Sequence, residues 1–337
     1  MKHRFGAAPP GSLGIEEEVI LVDAATLETA PAFSRLFGVS RPFFKPEVFE
    51  CLVELTTPVV PDAEAALGEL RRLRAELAAL VEARGIRLHA AGSHALARGT
   101  GQPIVPTERY KRLSAALGPR IYRQLVCGLH VHVSVPDPDT CLEAFEAVVP
   151  WLPTLLALSA NSPFAEGKET GRRSERAERL LEMPTGGTPP VLRSWDDWTS
   201  ATQGDETRRH WDAWPRPEYG TLEVRVMDMQ TDVRRSAGLA AIVQALVAAA
   251  AGGVPPDTYD RELYAQRRSR AAAAAPDPDE IAALAAAAAP RLAGGAARLA
   301  ELVLNGRPEA ERQLEVAAAE GIAAVPRDVI ERTVAFG

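Results

Sequence analysis

Apolar and polar residues alternate along five segments in the first two-thirds of the chain, which is the pattern of β-strands. Helical periodicity separates some of these segments and dominates the alanine-rich last third. The sequence therefore predicts a mixture of strands and helices followed by a helical region. The predicted strands run from Gly14 to Asp23, Phe49 to Thr57, Arg87 to Ala91, Gly128 to Val135 and Thr221 to Met229.

The helical segments carry their own start and stop signals. Asp62 can cap a helix that ends near Gly85, and a leucine stripe gives this helix one apolar face. A second helix is predicted from Leu142 to Ala160, kinked or divided by its prolines. We predict a single domain over residues 1–337, with a sheet-based site in residues 1–235 and an alanine-rich helical part in residues 236–337.

Composition and charge narrow the classes of function. A net charge of -7 argues against non-specific nucleic-acid binding, which needs a cationic surface. No apolar stretch follows the basic residues at the N-terminus, so no secretory signal is predicted. The apolar run from Gly238 to Gly253 is short and contains Gln244, which favours a buried helix over a membrane span. Reduced thiols and a cytoplasmic location are expected from the odd number of cysteines, Cys51, Cys127 and Cys141.

Three of the strands place acidic residues or histidines on one face and apolar residues on the other. Alternation groups Thr221, Glu223, Arg225 and Met227; His130, His132 and Ser134; and Glu50, Glu54 and Thr56. On the first strand, Glu16 and Glu18 share one face while Glu17 lies on the other. Alternation alone does not decide which of these two faces belongs with the other acidic residues.

An antiparallel sheet with one face in water is the simplest interpretation of each strand taken alone. Taken together, the strands gather carboxylates on one face, where like charges on neighbouring strands repel one another. A face of this kind needs positive charge, and Mg²⁺ prefers carboxylate oxygens and acts jointly with substrate phosphates. We therefore expect a Mg²⁺–ATP site on this face. No zinc, serine-hydrolase, Walker A or Rossmann motif offers a competing site.

Two further segments remain open to more than one interpretation. The stretch from Ser162 to Pro217 has little periodicity and is rich in Gly, Pro, Arg, Asp and Trp, which favours a segment that contacts a ligand. Its arginine-rich part, Glu169 to Arg179, fits either a solvated helix face or a contact to phosphate or carboxylate. His94 fits either a site loop or a turn.

Eight motifs occur in order along about the first 235 residues, and together they resemble the carboxylate–amine ligase, or type 2 glutamate–cysteine ligase, family. They are G-I-E-E-E, K-P-E-V-F-E-C-L-V-E-L-T-T-P, A-A-G-S-H, T-E-R-Y, G-L-H-V-H-V, L-S-A-N-S-P-F, T-G-R-R-S-E-R and Y-G-T-L-E-V-R-V-M-D. The resemblance implies an α+β fold like that of glutamine synthetase and the guanido kinases: a curved, mainly antiparallel sheet with helices on its outer face.

The resemblance also implies a reaction and a set of site residues. ATP would phosphorylate a substrate carboxylate, classically the γ-carboxyl of glutamate, and an amine, classically that of cysteine, would displace the phosphate. Mg²⁺ or Mn²⁺ would bind the residues that match the metal positions: Glu16, Glu18, Glu47, Glu54, His130 and Glu223. Arg225 and Arg176 match catalytic arginines, and His132, Arg173 and Asn161 are expected to contact the nucleotide. The partners would be amino acids, and a homodimer is compatible with this assignment.

The chain departs from the family pattern at two places. Trp214 stands where W-D-x-R-P has arginine, and Arg216 is a candidate to compensate for it. Later, R-E-L-Y-A-Q-R-R-S keeps only Ala265 and Arg267 of a second motif. These departures put the identity of the acid and the amine in doubt. Three alternatives stay open: a ligase of the same fold with other substrates, a catalytically silent nucleotide-binding homologue and, most remotely, a zinc hydrolase.

Overall fold

The structure is a computed structural model that describes residues 3–38, 41–203, 210–250 and 258–335. Within these ranges, seven strands form one sheet and two short strands form a separate hairpin. The strands of the sheet are β1 Leu13–Asp23, β2 Phe44–Pro46, β3 Leu52–Thr56, β4 Ile86–His89, β5 Gly128–Ser134, β8 Ala213–Arg216 and β9 Thr221–Asp228. The hairpin pairs β6 Phe164–Ala165 with β7 Lys168–Glu169.

The order across the sheet is β2-β3-β1-β5-β9-β8, and β4 pairs with the far end of β1. Every pairing in it is antiparallel. The helices are α1 Phe33–Phe37, α2 Ala63–Glu82, α3 Glu108–Leu117, α4 Pro138–Val148, α5 Leu152–Ser159, α6 Glu175–Leu180, α7 Trp195–Thr202, α8 Val233–Ala250, α9 Arg261–Ala273, α10 Pro278–Ala288, α11 Gly294–Leu304, α12 Glu309–Glu320 and α13 Val325–Ala335.

One face of the sheet is apolar and packs against helices. Alternate residues of β5, Leu129, Val131 and Val133, are fully buried in a core that they share with α4, α5 and α8. The opposite face carries the acidic residues and histidines and borders the cavities described below. The predicted α+β fold, a mainly antiparallel sheet with helices on its outer face, is therefore confirmed.

Both predicted helices are present, one with its predicted N-terminal cap and the other with its predicted division at prolines. α2 begins after Asp62, whose side chain accepts a hydrogen bond from the Ala65 N–H (2.9 Å), as a helix cap does. The helix predicted from Leu142 to Ala160 is divided at its prolines: α4 ends at Val148, a 3₁₀ turn covers 149–151, and α5 follows.

The second predicted strand is shorter than expected. β3 begins at Leu52, and Glu50, which precedes it, accepts hydrogen bonds from the backbone N–H (2.8 Å) and hydroxyl (2.6 Å) of Ser34. Glu50 therefore binds the first turn of α1. The prediction from alternation that Glu50 shares the acidic face with Glu54 is wrong.

A β-bulge changes the predicted faces of β9. Leu129 pairs with Met227 and Val131 with Val224, so one residue of β5, His130, faces two residues of β9, Arg225 and Val226. Met227 consequently turns to the apolar core, where it is fully buried. The prediction that Met227 shares the face of Glu223 and Arg225 is wrong because strict alternation does not hold across a bulge.

Two helical stretches, Pro138–Ser159 and Val233–Ala250, are long and apolar enough to cross a membrane by length and composition. Their most apolar windows are 78% and 72% buried inside the protein, as expected for core helices. The second stretch contains the run that was predicted as a buried helix, up to residue 250; residues 251–253 lie outside the described residues. Cys51, Cys127 and Cys141 are free and buried.

Candidate active site

The register of the sheet brings the acidic side chains of separate strands together. Glu16 of β1 lies opposite His130 of β5, and Glu18 lies opposite Glu54 of β3. On the next pairing, His132 lies opposite Glu223 of β9. Since directly paired residues project to the same side, these side chains share one face.

Glu16, His130 and Glu223 form the first acidic cluster, in which one potential ligand atom from each residue lies within 4.8 Å of the others. His130 Nδ1 lies 3.1 Å from Glu16 Oε2 and 4.0 Å from Glu223 Oε1. His132 Nε2 points to the same cluster, 3.6 Å from Glu16 Oε1 and 3.7 Å from Glu223 Oε1. This nitrogen is buried and has no hydrogen-bond partner.

Glu18, Glu47 and Glu54 form the second acidic cluster, again with ligand atoms within 4.8 Å of one another. Glu18 Oε2 accepts a hydrogen bond of 2.5 Å from the Gly128 N–H, and Glu54 Oε1 lies 3.3 Å from Lys45 Nζ. Glu47 follows β2 directly, at the point where the chain passes towards β3.

The protonation equilibria of the carboxyl groups reflect this crowding. Burial and the charges of Glu18 and Glu54 raise the pKa of Glu47 well above its usual value. Burial and the charge of Glu16 likewise raise the pKa of Glu54, against the opposing effect of Lys45. For Glu16, burial acts in the same direction, but the neighbouring imidazole rings of His130 and His132 outweigh it and lower the pKa.

Glu223 is fully buried, and each of its two carboxylate oxygens binds a different arginine. Arg216 Nη1 donates to Oε2 and Arg225 Nη1 donates to Oε1. Burial alone would raise the pKa of Glu223, but the charges of these arginines lower it far below its usual value. Arg216 also pairs with Glu218 at 2.9 Å and lies over the ring of Tyr219, 4.9 Å from its centroid.

Three neighbouring cavities border the clusters. The largest, about 750 Å³, contains Glu16, Glu47 and Glu54 in its wall together with the cationic side chains Arg41, Lys45, Arg109, Arg216 and Arg225. A cavity of about 230 Å³ shares Glu16, Lys45 and Tyr219 with it, and one of about 70 Å³ shares Glu47, Arg109, Tyr110, His130 and Arg225. The volume and the mixed charges suit a polyanionic substrate bound together with cations.

The chemistry of the two clusters fits divalent cations. Each offers carboxylate oxygens, with a single imidazole nitrogen added in the first cluster, and such a set suits Mg²⁺ or Mn²⁺ better than zinc. The raised pKa values of Glu47 and Glu54 reflect burial and, after it, repulsion from the neighbouring carboxylates, which a cation would relieve. The unpartnered Nε2 of His132 also points towards the first cluster.

The structure brings most of the predicted site residues together, but not all of them. Arg173 lies away from the cavities, where it pairs with Glu311 of α12 at 2.5 Å. Asn161 is fully buried, and its side-chain amide donates to Met229 O (2.8 Å) and accepts from Gln313 (2.7 Å). Neither side chain lines any of these three cavities. Arg176 does, in the smallest one, 3.5 Å from His130 Nε2.

Several residues of the cavities were not singled out from the sequence. Lys45 and Arg109 lie in quoted motifs, K-P-E and T-E-R-Y, but alternation gives no reason to choose them. Tyr219 lies in the turn between β8 and β9, where no periodic signal exists. The structure also decides which glutamates of β1 belong to the acidic face. Glu17 lies on the side that packs against helices, paired with Arg74 of α2 at 2.7 Å.

The first departure from the family pattern has a structural counterpart. Trp214 pairs with Glu223 across β8 and β9 but is fully buried, stacked on Trp198 with ring centroids 5.4 Å apart. Arg216, two residues further along the same strand, reaches Glu223 instead. In the second departure, Arg267 donates to Pro150 O (2.9 Å) and to the hydroxyl of Tyr259 (2.7 Å), contacts outside the three cavities.

Comparison with known proteins agrees with this geometry. Residues 12–328 match the sequence profile of glutamate-cysteine ligase family 2. The chain belongs to this family. It is 35% identical over 270 residues to the Rubrobacter xylanophilus protein named "Putative glutamate--cysteine ligase 2-3", covering 76% of this chain and 74% of that protein. A Herpetosiphon aurantiacus protein named "Putative glutamate--cysteine ligase 2" is 34% identical over 260 residues, covering 73% and 68%. The chain is accordingly a ligase, as the eight motifs predict.

Two solved structures share the fold at 14% identity. Glutamate–cysteine ligase from Francisella tularensis, solved in complex with AMP, has a TM-score of 0.68 and covers 97% of this chain and 89% of its own. The bifunctional glutathione synthetase from Pasteurella multocida has a TM-score of 0.69 over 96% of this chain, which spans 52% of that larger enzyme. At this identity the likeness concerns the fold alone.

Proposed function

We propose that this member of the family is an ATP-dependent carboxylate–amine ligase that forms a γ-glutamyl amide bond through an acyl phosphate, with cysteine as the default amine. The observation that carries the proposal is the pair of acidic clusters on one sheet face, bordering a cavity of about 750 Å³ lined also by arginines. Carboxylates for divalent cations, placed beside guanidinium groups for phosphates, form the arrangement that phosphoryl transfer needs.

In this proposal the two clusters hold Mg²⁺ or Mn²⁺: Glu16, His130 and Glu223 at one position, and Glu18, Glu47 and Glu54 at the other. The bound cations would neutralise the phosphates of ATP and the carboxylates of the clusters. Arg225 and Arg216 project into the largest cavity from the side of Glu223 and would contact the phosphoryl group in transfer. His132 would line the nucleotide site through its free nitrogen.

The chemistry divides into two displacements. A carboxylate oxygen of the acid attacks the γ-phosphorus of ATP, an O–P bond forms, and the bond to the bridging oxygen breaks to release ADP. The amine nitrogen then attacks the carbonyl carbon of the acyl phosphate. A C–N bond forms, the C–O bond to phosphate breaks, and the nitrogen loses one proton. The protein contributes mainly positioning and charge stabilisation to both steps.

A ligase of the same fold with another acid or amine is the second candidate. It is favoured by Trp214, which fills the place of an arginine with a buried indole, and by Arg216, which reaches Glu223 from a different position. Arg216 thereby supplies a cation to the wall of the largest cavity, while the acidic clusters stay complete. We further propose that the enzyme acts in the cytoplasm on small-molecule substrates, and a homodimer is compatible with this account.

The test supplies purified protein with ATP and Mg²⁺, varies the acid and the amine, and measures phosphate release together with product mass. The expected product has the mass of acid plus amine minus one water. Glu223→Ala should abolish turnover while the far-ultraviolet spectrum is unchanged. Glu50→Gln is the matched control, because Glu50 binds Ser34 and belongs to neither cluster. Binding of ATP without turnover on any pair of substrates would instead support a catalytically silent homologue.

A further inference from the structure

Arg225 and Asp228 are three residues apart on β9, a spacing that puts two side chains on opposite faces of a regular strand. Here they lie on the same face. Gly128, which shares the face of His130 by alternation along β5, pairs directly with Asp228. The cause is the bulge, which inserts one extra residue of β9 opposite His130 and reverses the parity of the strand beyond it.

The guanidinium group of Arg176 binds the two residues that form this bulge. Its Nη1 donates to Val226 O at 3.3 Å and its Nη2 donates to Arg225 O at 3.1 Å. The same Nη2 lies 3.5 Å from His130 Nε2, on the opposing strand. One planar group therefore connects both sides of the irregularity from which Arg225 and His130 project, and it reaches them from α6, outside the sheet.

The carboxylate of Asp228 forms an ion pair with this guanidinium group. This carboxylate is fully buried and lies 3.9 Å from Arg176 Nη1. The orientation of the carboxylate is fixed by three other donors at 2.7 to 2.9 Å: the hydroxyls of Ser162 and Ser174 and the backbone N–H of Asn161. Three hydrogen-bond donors and one guanidinium group surround the buried carboxylate, so Asp228 has little capacity left for a ligand.

Two glycines leave the space that this pair occupies. A Cβ atom on Gly128 would lie 2.2 Å from Arg176 Nη2, and a Cβ atom on Gly92 would lie 2.7 Å from the carboxylate of Asp228. Any side chain at either position would displace the guanidinium group or the carboxylate. The local sequence therefore leaves room for the two groups on the acidic face, beside the acidic clusters.

We propose that Arg176 and Asp228 form a positioning pair that fixes the bulge of β9 and thereby orients Arg225 and His130 in the site. Arg176 contacts backbone carbonyls and the imidazole ring, and it does not itself bind the phosphoryl group. This inference rests on the proposed function, and it changes the role expected for Arg176 from a substrate contact to a support for Arg225.

The test compares Arg176→Met, Arg176→Lys and Asp228→Asn by kcat, KM and the affinity for ATP–Mg²⁺ measured by calorimetry. A positioning pair predicts that all three lower kcat, by about 100-fold for Arg176→Met, because small misplacements of reacting groups have effects of this size. Nucleotide affinity should stay within a few-fold of wild type. Lysine should not rescue, since a single ammonium group does not span two carbonyls. The double variant Arg176→Met/Asp228→Asn should be no worse than Arg176→Met alone.

The opposite pattern would overturn the inference: Arg176→Met weakening nucleotide binding in parallel with kcat, Arg176→Lys restoring both, and Asp228→Asn behaving like wild type. If Arg176→Met does not fold, Ser162→Ala removes one donor to Asp228 and should lower kcat in the same direction at unchanged nucleotide affinity. Amide hydrogen exchange across residues 224–228 supplies a readout independent of turnover. Faster exchange there in Asp228→Asn is expected even if the wild-type chain proves inactive as a ligase, so the two proposals fail separately.

Discussion

Glu18 lies directly opposite Glu54 across the ladder of β1 and β3, with both side chains buried. Like charges in this position destabilise a sheet. We therefore predict that Mg²⁺ or Mn²⁺ raises the free energy of unfolding of the protein, by about 2.7 kcal/mol at a concentration 100-fold above the dissociation constant. Glu54→Gln should stabilise the metal-free protein and abolish most of this increment, whereas Glu50→Gln should keep it. Denaturant unfolding with and without metal measures both effects, and an unchanged wild-type midpoint would contradict the cation site.

Neighbouring glutamates of β1 are predicted to respond differently to the same substitution. Glu17 and Arg74 form a bidentate pair with both side chains buried, and Arg74 also donates to Gln230 O and Thr231 O at 2.8 Å. Breaking such a pair costs about 3–5 kcal/mol. Glu17→Gln should therefore destabilise the fold and leave the metal affinity of the folded protein unchanged. Glu16→Gln should weaken metal binding with little loss of stability. Reversed outcomes would mean that the face has been assigned incorrectly.

Glu16 and Glu17 illustrate which features could be predicted from the sequence and which could not. Alternation predicts five of the seven strands of the sheet and the histidine-bearing face of β5, but it misses the short strands β2 and β8. β1 carries three consecutive glutamates, and only resemblance to a family chose Glu16 and Glu18. The partner of Glu17 lies 57 residues away on a helix, beyond any local pattern. The bulge that turns Met227 inward and Asp228 towards Arg176 leaves no signature in the alternation. Lys45 and Arg109 reach the cavity through tertiary packing, which periodicity does not describe.

Acid should destabilise the protein through histidines that are buried in their neutral form. Burial lowers the pKa of His94 to about 4, from 6.5 when exposed. The unfolded chain therefore takes up a proton near pH 6.5 while the folded protein does so only near pH 4. Stability is full above this window and falls as the pH drops through it, by about 2 kcal/mol for this residue at pH 5. Burial also lowers the pKa of His89, which adds to the effect.

His94→Asn isolates this contribution. His94 Nδ1 accepts hydrogen bonds from the Leu96 and Ala97 N–H groups at 3.2 and 3.1 Å, and an asparagine oxygen can take a similar place. The difference in free energy of unfolding between pH 7 and pH 5 should be smaller in this variant than in wild type. Urea titrations at the two pH values give that difference, and an equal pH dependence in both proteins would disprove the assignment.

Arg216 is predicted to carry part of the charge stabilisation in the largest cavity. Arg216→Met leaves Glu223 with Arg225 as its remaining arginine partner and removes one cation from the wall. We expect kcat/KM for ATP to fall by about 10²-fold, the size of losing one well-placed donor to a developing charge. Arg84→Met is the control, because Arg84 is exposed, lies in the turn after α2 and donates to Leu80 O at the end of that helix. A similar loss in both variants would show a general effect of charge.

The central claim is that the two acidic clusters support phosphoryl transfer to a substrate carboxylate. Glutamate labelled with ¹⁸O in its γ-carboxyl group, or another acid accepted by the enzyme and labelled likewise, tests it directly when supplied with ATP, Mg²⁺ and the best amine. The account predicts that one ¹⁸O atom appears in the released inorganic phosphate for each amide formed, and that Glu223→Ala releases none. Amide formation with all of the ¹⁸O retained outside phosphate, or cleavage of ATP to AMP and pyrophosphate, would contradict it.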